Sequence, residues 1–253
     1  IGVRIPIAGT NWYQCGAVTK TNQETTDFMD GHPYFYDWRW GEEDKYCMQK
    51  AITDVRDFAF GNPCNIRDLS KPLFVSEWDM PWPNAYRAES PILCAAIGAL
   101  QGWSGWAIHS YSYPTRVEAS KPLGKEFSSS SIGNVPYREG IFSVWNDPAK
   151  FGLVQHAALI CRRQDIREAD ETYAVKISDL LTHKQAAAIE GACETVRLGV
   201  VFDDQAPEGA KLTDADVPLV AREAVEVRSC TGEMWRSWKE HIGKIDSPRT
   251  KCV

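Results

Sequence analysis

The chain predicts an α/β domain built on parallel strands and followed by a smaller β-rich module. Three observations predict it. Short apolar runs alternate with helical patterns over residues 1–165. The clearest of these runs, Leu73-Phe74-Val75-Ser76-Glu77-Trp78, ends in polar chemistry. After about residue 166 the text turns into half-buried strands with no helices between them.

Taken in order, residues 4–11 read as a short strand running into a loop at Asn11-Trp12. Residues 26–30 form a second strand, broken by Gly31-His32-Pro33. Residues 42–58 read as a helix: acids fill the first turn, where the dipole favours them, and Tyr46, Ala51, Val55 and Phe58 make a loose apolar stripe. Residues 73–78 follow Lys71-Pro72 as a buried parallel strand. Ser90-Pro91 opens a helix with a capping serine and a proline in the first turn. That helix is apolar almost all round through Leu100, so it is expected between neighbours.

Residues 104–111 are the fourth strand, and the Ser-, Pro- and Gly-rich residues 112–140 are a long loop beside the strand ends. Asp147-Pro148 caps a helix that runs to about Arg163. Strand–helix alternation of this kind implies right-handed crossovers. Beyond it, residues 172–177, 195–202 and 224–228 alternate as strands, and Cys230-Thr231-Gly232-Glu233 is a hairpin turn into residues 234–239. Residues 166–253 are therefore expected to be a β-rich, sandwich-like accessory domain that stops mid-module.

Bulk properties exclude several classes. With 43% hydrophobic and 25% charged residues this is an ordinary globular composition, and 253 residues can bury a sizeable core. A net charge of -6 argues against nucleic acid as a partner. No apolar run reaches the roughly 18 residues of a membrane span. The start, Ile-Gly-Val-Arg, lacks Met and the pattern of a signal peptide, which suggests processing or a fragment. Eight cysteines include no Cys-x-x-Cys pair, so no metal site is expected and disulfides stay undecided. Phosphate-loop and dinucleotide fingerprints are missing too, and no cofactor is expected.

Chemistry gathers at three strand ends. Asp30-Gly31-His32-Pro33-Tyr34, Ser76-Glu77-Trp78 and Trp106-Ala107-Ile108-His109 carry acid, imidazole, phenol and indole groups. A carboxylate at the C-terminal end of a parallel strand occupies the position where α/β barrels hold catalytic groups. Eight of the ten tryptophans fall in the first 150 residues, and Trp38, Trp40, Trp78 and Trp82 follow strand ends in loop-like text. Indoles beside carboxylates suit stacking on sugar rings. Gly102-Trp103-Ser104-Gly105 misses the nucleophile elbow of serine hydrolases, and none of the four strands clearly ends in the lysine an aldolase would use.

These strand ends resemble the C-terminal half, strands five to eight, of the (β/α)8 TIM barrel in retaining glycoside hydrolases of clan A. The likeness covers roughly residues 4–165 and rests mainly on the His32-Pro33-Tyr34 and Ser76-Glu77-Trp78 pair. It implies Glu77 as nucleophile, with Tyr34 donating a hydrogen bond to it. His32 and His109 would line the cleaved subsite, Trp78 or Trp106 would form a sugar platform, and Asn11 and Trp12 would contact the carbohydrate substrate. It also implies an acid/base glutamate on a strand before residue 1, so the missing N-terminal half of the barrel is the expected partner, and the isolated fragment is expected to be inactive. Relatives of this kind are commonly exported, to the extracellular space or periplasm. The alternative is a carbohydrate-binding protein that keeps the groove without catalysis.

Overall fold

A computed structural model describes residues 2, 4–11, 15–35, 50–56, 59–82, 84–111, 142–145, 147–181 and 186–253. Helix α1 (Gly16–Thr25) leads to strand β1 (Met29–Asp30), then β2 (Leu73–Trp78), helix α2 (Ser90–Gln101), β3 (Gly105–Ile108) and helix α3 (Pro148–Arg163). The three strands form a parallel sheet in the order β1-β2-β3. A parallel bridge from Ala8 to Phe28 extends this order by one step.

Register decides what each strand residue faces, because side chains in register on neighbouring strands share a face. Met29 pairs with Leu73, and Val75 with Trp106; Leu73 and Val75 are fully buried. On this face the Trp106 ring meets Gly98 of α2, and α2 packs on α3. Asp30, Phe74 and Gly105 lie in register on the opposite face, where Phe74 stays 37% exposed. Among the described residues the sheet is open and closes no barrel, so the chain is mixed α/β with several small sheets.

Strands β4 (Thr172–Lys176), β5 (Arg197–Val201) and β6 (Lys211–Asp214) follow, and form a parallel sheet ordered β5-β4-β6. An antiparallel sheet of β7 (Glu226–Arg228), β8 (Met234–Ser237), β9 (Ile242–Asp246) and β10 (Lys251–Cys252) completes the order. The β7–β8 hairpin turns where the sequence places it, with Gly232 at φ +78.

One core runs through both regions: Ile97 and Leu100 of α2 belong to the same buried cluster as Val175, Leu198 and Val200. Gln101 stitches the seam. Its buried side-chain amide donates to the carbonyls of Cys193 (2.7 Å) and Val196 (2.6 Å), and its Oε1 accepts the Leu198 amide at 3.0 Å. Arg67, also buried, donates to the carbonyls of Gln101 and Gly102, and burial lowers its pKa to about 10. A Gln101→Leu substitution would strip partners from three backbone groups. At roughly 1–3 kcal/mol for each orphaned group, thermal or urea unfolding is expected to show a loss of several kcal/mol.

Several expectations change on contact with the structure. The strand over residues 4–11 shrinks to the single Ala8 bridge, since Pro6 has no amide to offer a ladder. The end of the expected helix 42–58 is a 3-10 turn, Ile52–Asp54, between extended Ala51 and Val55. Tertiary bonds claim its backbone: the Ile52 amide goes to Glu89 Oε2 and its carbonyl to Arg236 Nη1. The rest of that helix, the loop over residues 112–140, and Trp12, Trp38 and Trp40 lie outside the described residues.

Neither expected cap forms. Ser90 donates back to the Arg87 carbonyl, and the Asp147 carboxylate binds the Arg87 guanidinium. Helix α1 was not anticipated. Its threonines Thr21 and Thr25 return their hydroxyls to carbonyls one turn back, which blurs any apolar stripe.

Candidate active site

Strand β2 delivers Glu77. Val75 faces Trp106 and Trp78 faces Ile108, so β2 spends three residues where β3 spends two. This bulge leaves both Ser76 and Glu77 half-buried at the sheet's C-terminal end, with the Glu77 side chain 34% exposed. It also turns Trp78 back to the helix side.

The groups predicted around Glu77 converge on it. Tyr34 Oη donates to Glu77 Oε2 at 2.5 Å. His32 Nδ1 lies 3.3 Å from the same oxygen, and His109 Nδ1 lies 3.7 Å from Oε1. Phe142 closes the cup by setting its ring edge-on to both Tyr34 (5.7 Å between centroids) and His109 (5.2 Å). Asn11 reaches the outer side of His32, Nδ2 to Nε2 at 2.9 Å.

A buried ion pair holds this arrangement from behind. Lys150 of α3 meets Asp79 Oδ1 at 2.6 Å, and both side chains are fully buried. The Asp79 backbone clamps the tyrosine segment, accepting the Phe35 amide at 2.9 Å and donating to the Pro33 carbonyl at 3.4 Å. Burial pushes the Asp79 carboxyl up to about 6, against the pull of Lys150. The geometry of a short bond between two sequestered groups identifies this as a structural pair, not an acid serving the cup.

Two expected platform residues are corrected. Trp78 is 5% exposed and packs edge-on against Phe60, and Trp106 faces α2, with its ring against Gly98 and edge-on to Trp103. Both sit on the core face because their register partners do, so neither can stack on a ligand in the cup. Asp30 grips Ser76 through the amide (3.0 Å) and the hydroxyl (2.8 Å). Ser76 and Phe142 were missed. A serine beside a strand-end acid is too common to single out by type, and Phe142 follows a long loop and gives no signal.

No family model matches the chain, and no curated protein or solved structure matches it either.

A cavity of about 520 Å³ lies elsewhere, between α2, α3 and the antiparallel sheet, lined by Ile92, Leu93, Leu159, Ile242 and Ile245 among others. Its carboxylates are committed: Glu194 forms a two-pronged bond with Arg236, and Glu89 holds the Ile52 amide. The convergence of titratable groups is at Glu77. Among the described residues no group of three His, Cys, Asp or Glu side chains is arranged to hold a metal ion.

Proposed function

We propose that this chain is part of a retaining glycoside hydrolase acting on β-linked sugars, with Glu77 as the nucleophile. One observation carries the reading: a half-exposed strand-end carboxylate accepts a tyrosine hydroxyl at 2.5 Å and has an imidazole nitrogen within 4 Å of each oxygen. A phenol donor fixes the carboxylate rotamer and leaves an oxygen lone pair for attack. Three parallel strands backed by helices on one face support the half-barrel arrangement, with strand β2 in the place of the seventh strand.

In the first step Glu77 forms a bond to the anomeric carbon as the bond to the leaving oxygen breaks, and a second carboxyl about 5–5.5 Å away gives that oxygen its proton. In the second step water, deprotonated by that same group, displaces Glu77. Asp30 is engaged by Ser76 and Asp79 by Lys150, so neither fills the second role.

The test is covalent capture. A fluorinated mechanism-based glycoside incubated with the full-length protein is expected to leave a glycosyl adduct on the peptide containing Glu77, read by mass spectrometry. An adduct elsewhere refutes the assignment. Retention of sugar with no adduct favours a binding protein that uses the same cup.

A further inference from the structure

Behind His32 lies a second carboxylate that the proposed chemistry does not use. His32 Nε2 is 2.7 Å from Ser76 Oγ, and Ser76 Oγ is 2.8 Å from Asp30 Oδ2. Each of these contacts needs a proton between its two heavy atoms. Ser76 has one to give, and Asp30, which accepts at both oxygens, has none. With the hydroxyl proton directed at Asp30, the remaining proton belongs to the ring nitrogen. Asn11, 2.9 Å from the same nitrogen, then presents its amide oxygen, since the two ends of that group are interchangeable in shape.

We propose that Asp30 is a positioning residue that, through Ser76, keeps a proton on Nε2 of His32. Nδ1, 3.3 Å from Glu77 Oε2, is then the one ring atom at which a proton is gained or lost. Glu77 from β2 faces that atom directly; Tyr34, from the same segment as His32, and His109, just past the end of β3, both approach Glu77. Asp30 and Asn11 face the opposite nitrogen. Without Asp30, Ser76 would turn its hydroxyl proton onto Nε2, and the ring would carry its proton on the Glu77 side even when neutral. The carboxylate thus decides whether the neutral ring offers the cup an acceptor or a donor. Its place in catalysis rests on reading Glu77 as nucleophile; the state of the ring does not.

The experiment follows the two nitrogens of His32 by NMR across a pH titration of the full-length protein with isotope-labelled histidine. Nε2 is expected to keep the shift of a protonated, pyrrole-type nitrogen throughout, while Nδ1 alone moves. In Asp30→Asn the amide donates to Ser76 and the pattern inverts, so that Nε2 becomes pyridine-type in the neutral ring. Ser76→Ala is expected to do the same, because the Glu77 carboxylate then draws the single proton to Nδ1. An Nε2 that titrates in the unaltered protein, or one that stays pyrrole-type in both variants, overturns the proposal. Capture of Glu77 by the fluorinated glycoside is read separately: a missing adduct with an inverted pattern removes the nucleophile alone. An adduct with unaltered nitrogens removes the role of Asp30 alone.

Discussion

Replacing Glu77 with Gln in the full-length protein is expected to lower turnover by several orders of magnitude while substrate binding remains measurable. The amide is nearly isosteric and still offers an oxygen to Tyr34 Oη, so the cup keeps its shape. It cannot form the glycosyl ester, and the loss therefore falls on kcat. Steady-state kinetics against the parent, with binding measured calorimetrically, separate the two effects. Unchanged turnover would remove Glu77 from the reaction. A parallel loss of affinity and turnover would point instead to collapse of the cup.

A large stability effect is expected at Lys150→Met. The substitution leaves the Asp79 carboxylate buried with the Met80 amide as its one remaining donor among the described residues, and breaking such a pair costs about 3–5 kcal/mol at neutral pH. Direction with pH follows from Asp79, whose folded pKa of about 6 lies above the ordinary carboxyl value of 3.8. Between those values the native state binds more protons than the unfolded chain, so this group's contribution to stability falls as pH rises through the window. Without the pull of Lys150 the Asp79 carboxyl of Lys150→Met is raised further above 6, so the deficit should shrink as pH falls toward about 6 and the variant's carboxyl becomes neutral. Urea unfolding at several pH values reads this. Adding Asp79→Leu should recover most of the loss, since a well-packed apolar pair often equals a buried ion pair. Equal deficits at acid and neutral pH would show that packing, not charge, is what Lys150 supplies.

Much of the frame was legible because the local signals agree with the fold. Strand 73–78 is found at the residues read from its apolar run, and the helices over residues 90–101 and 148–163 from their proline starts. What the sequence left hidden depended on register. A period-two reading places Trp78 and Trp106 no better than on one face or the other. The bulge after Val75 and the pairing of Val75 with Trp106 decide it, and both depend on a strand far away in the sequence. His32, Tyr34, Glu77 and His109 were legible as strand-end residues because each follows or ends an apolar run, and their convergence on Glu77 was what the family resemblance implied. The network from Asp30 through Ser76 was not legible, since serine and aspartate at strand ends are common and only their distances give them meaning.

The amide of Gln101 has a consequence for how such chains could be recombined. It joins the end of a helix that backs the Glu77 strand to three backbone groups of the later sheet region. Grafting a foreign accessory module at the strand-to-sheet junction would cut through bonds sealed from solvent. A successful chimera would have to transplant residue 101 together with residues 193–198 as one inherited block.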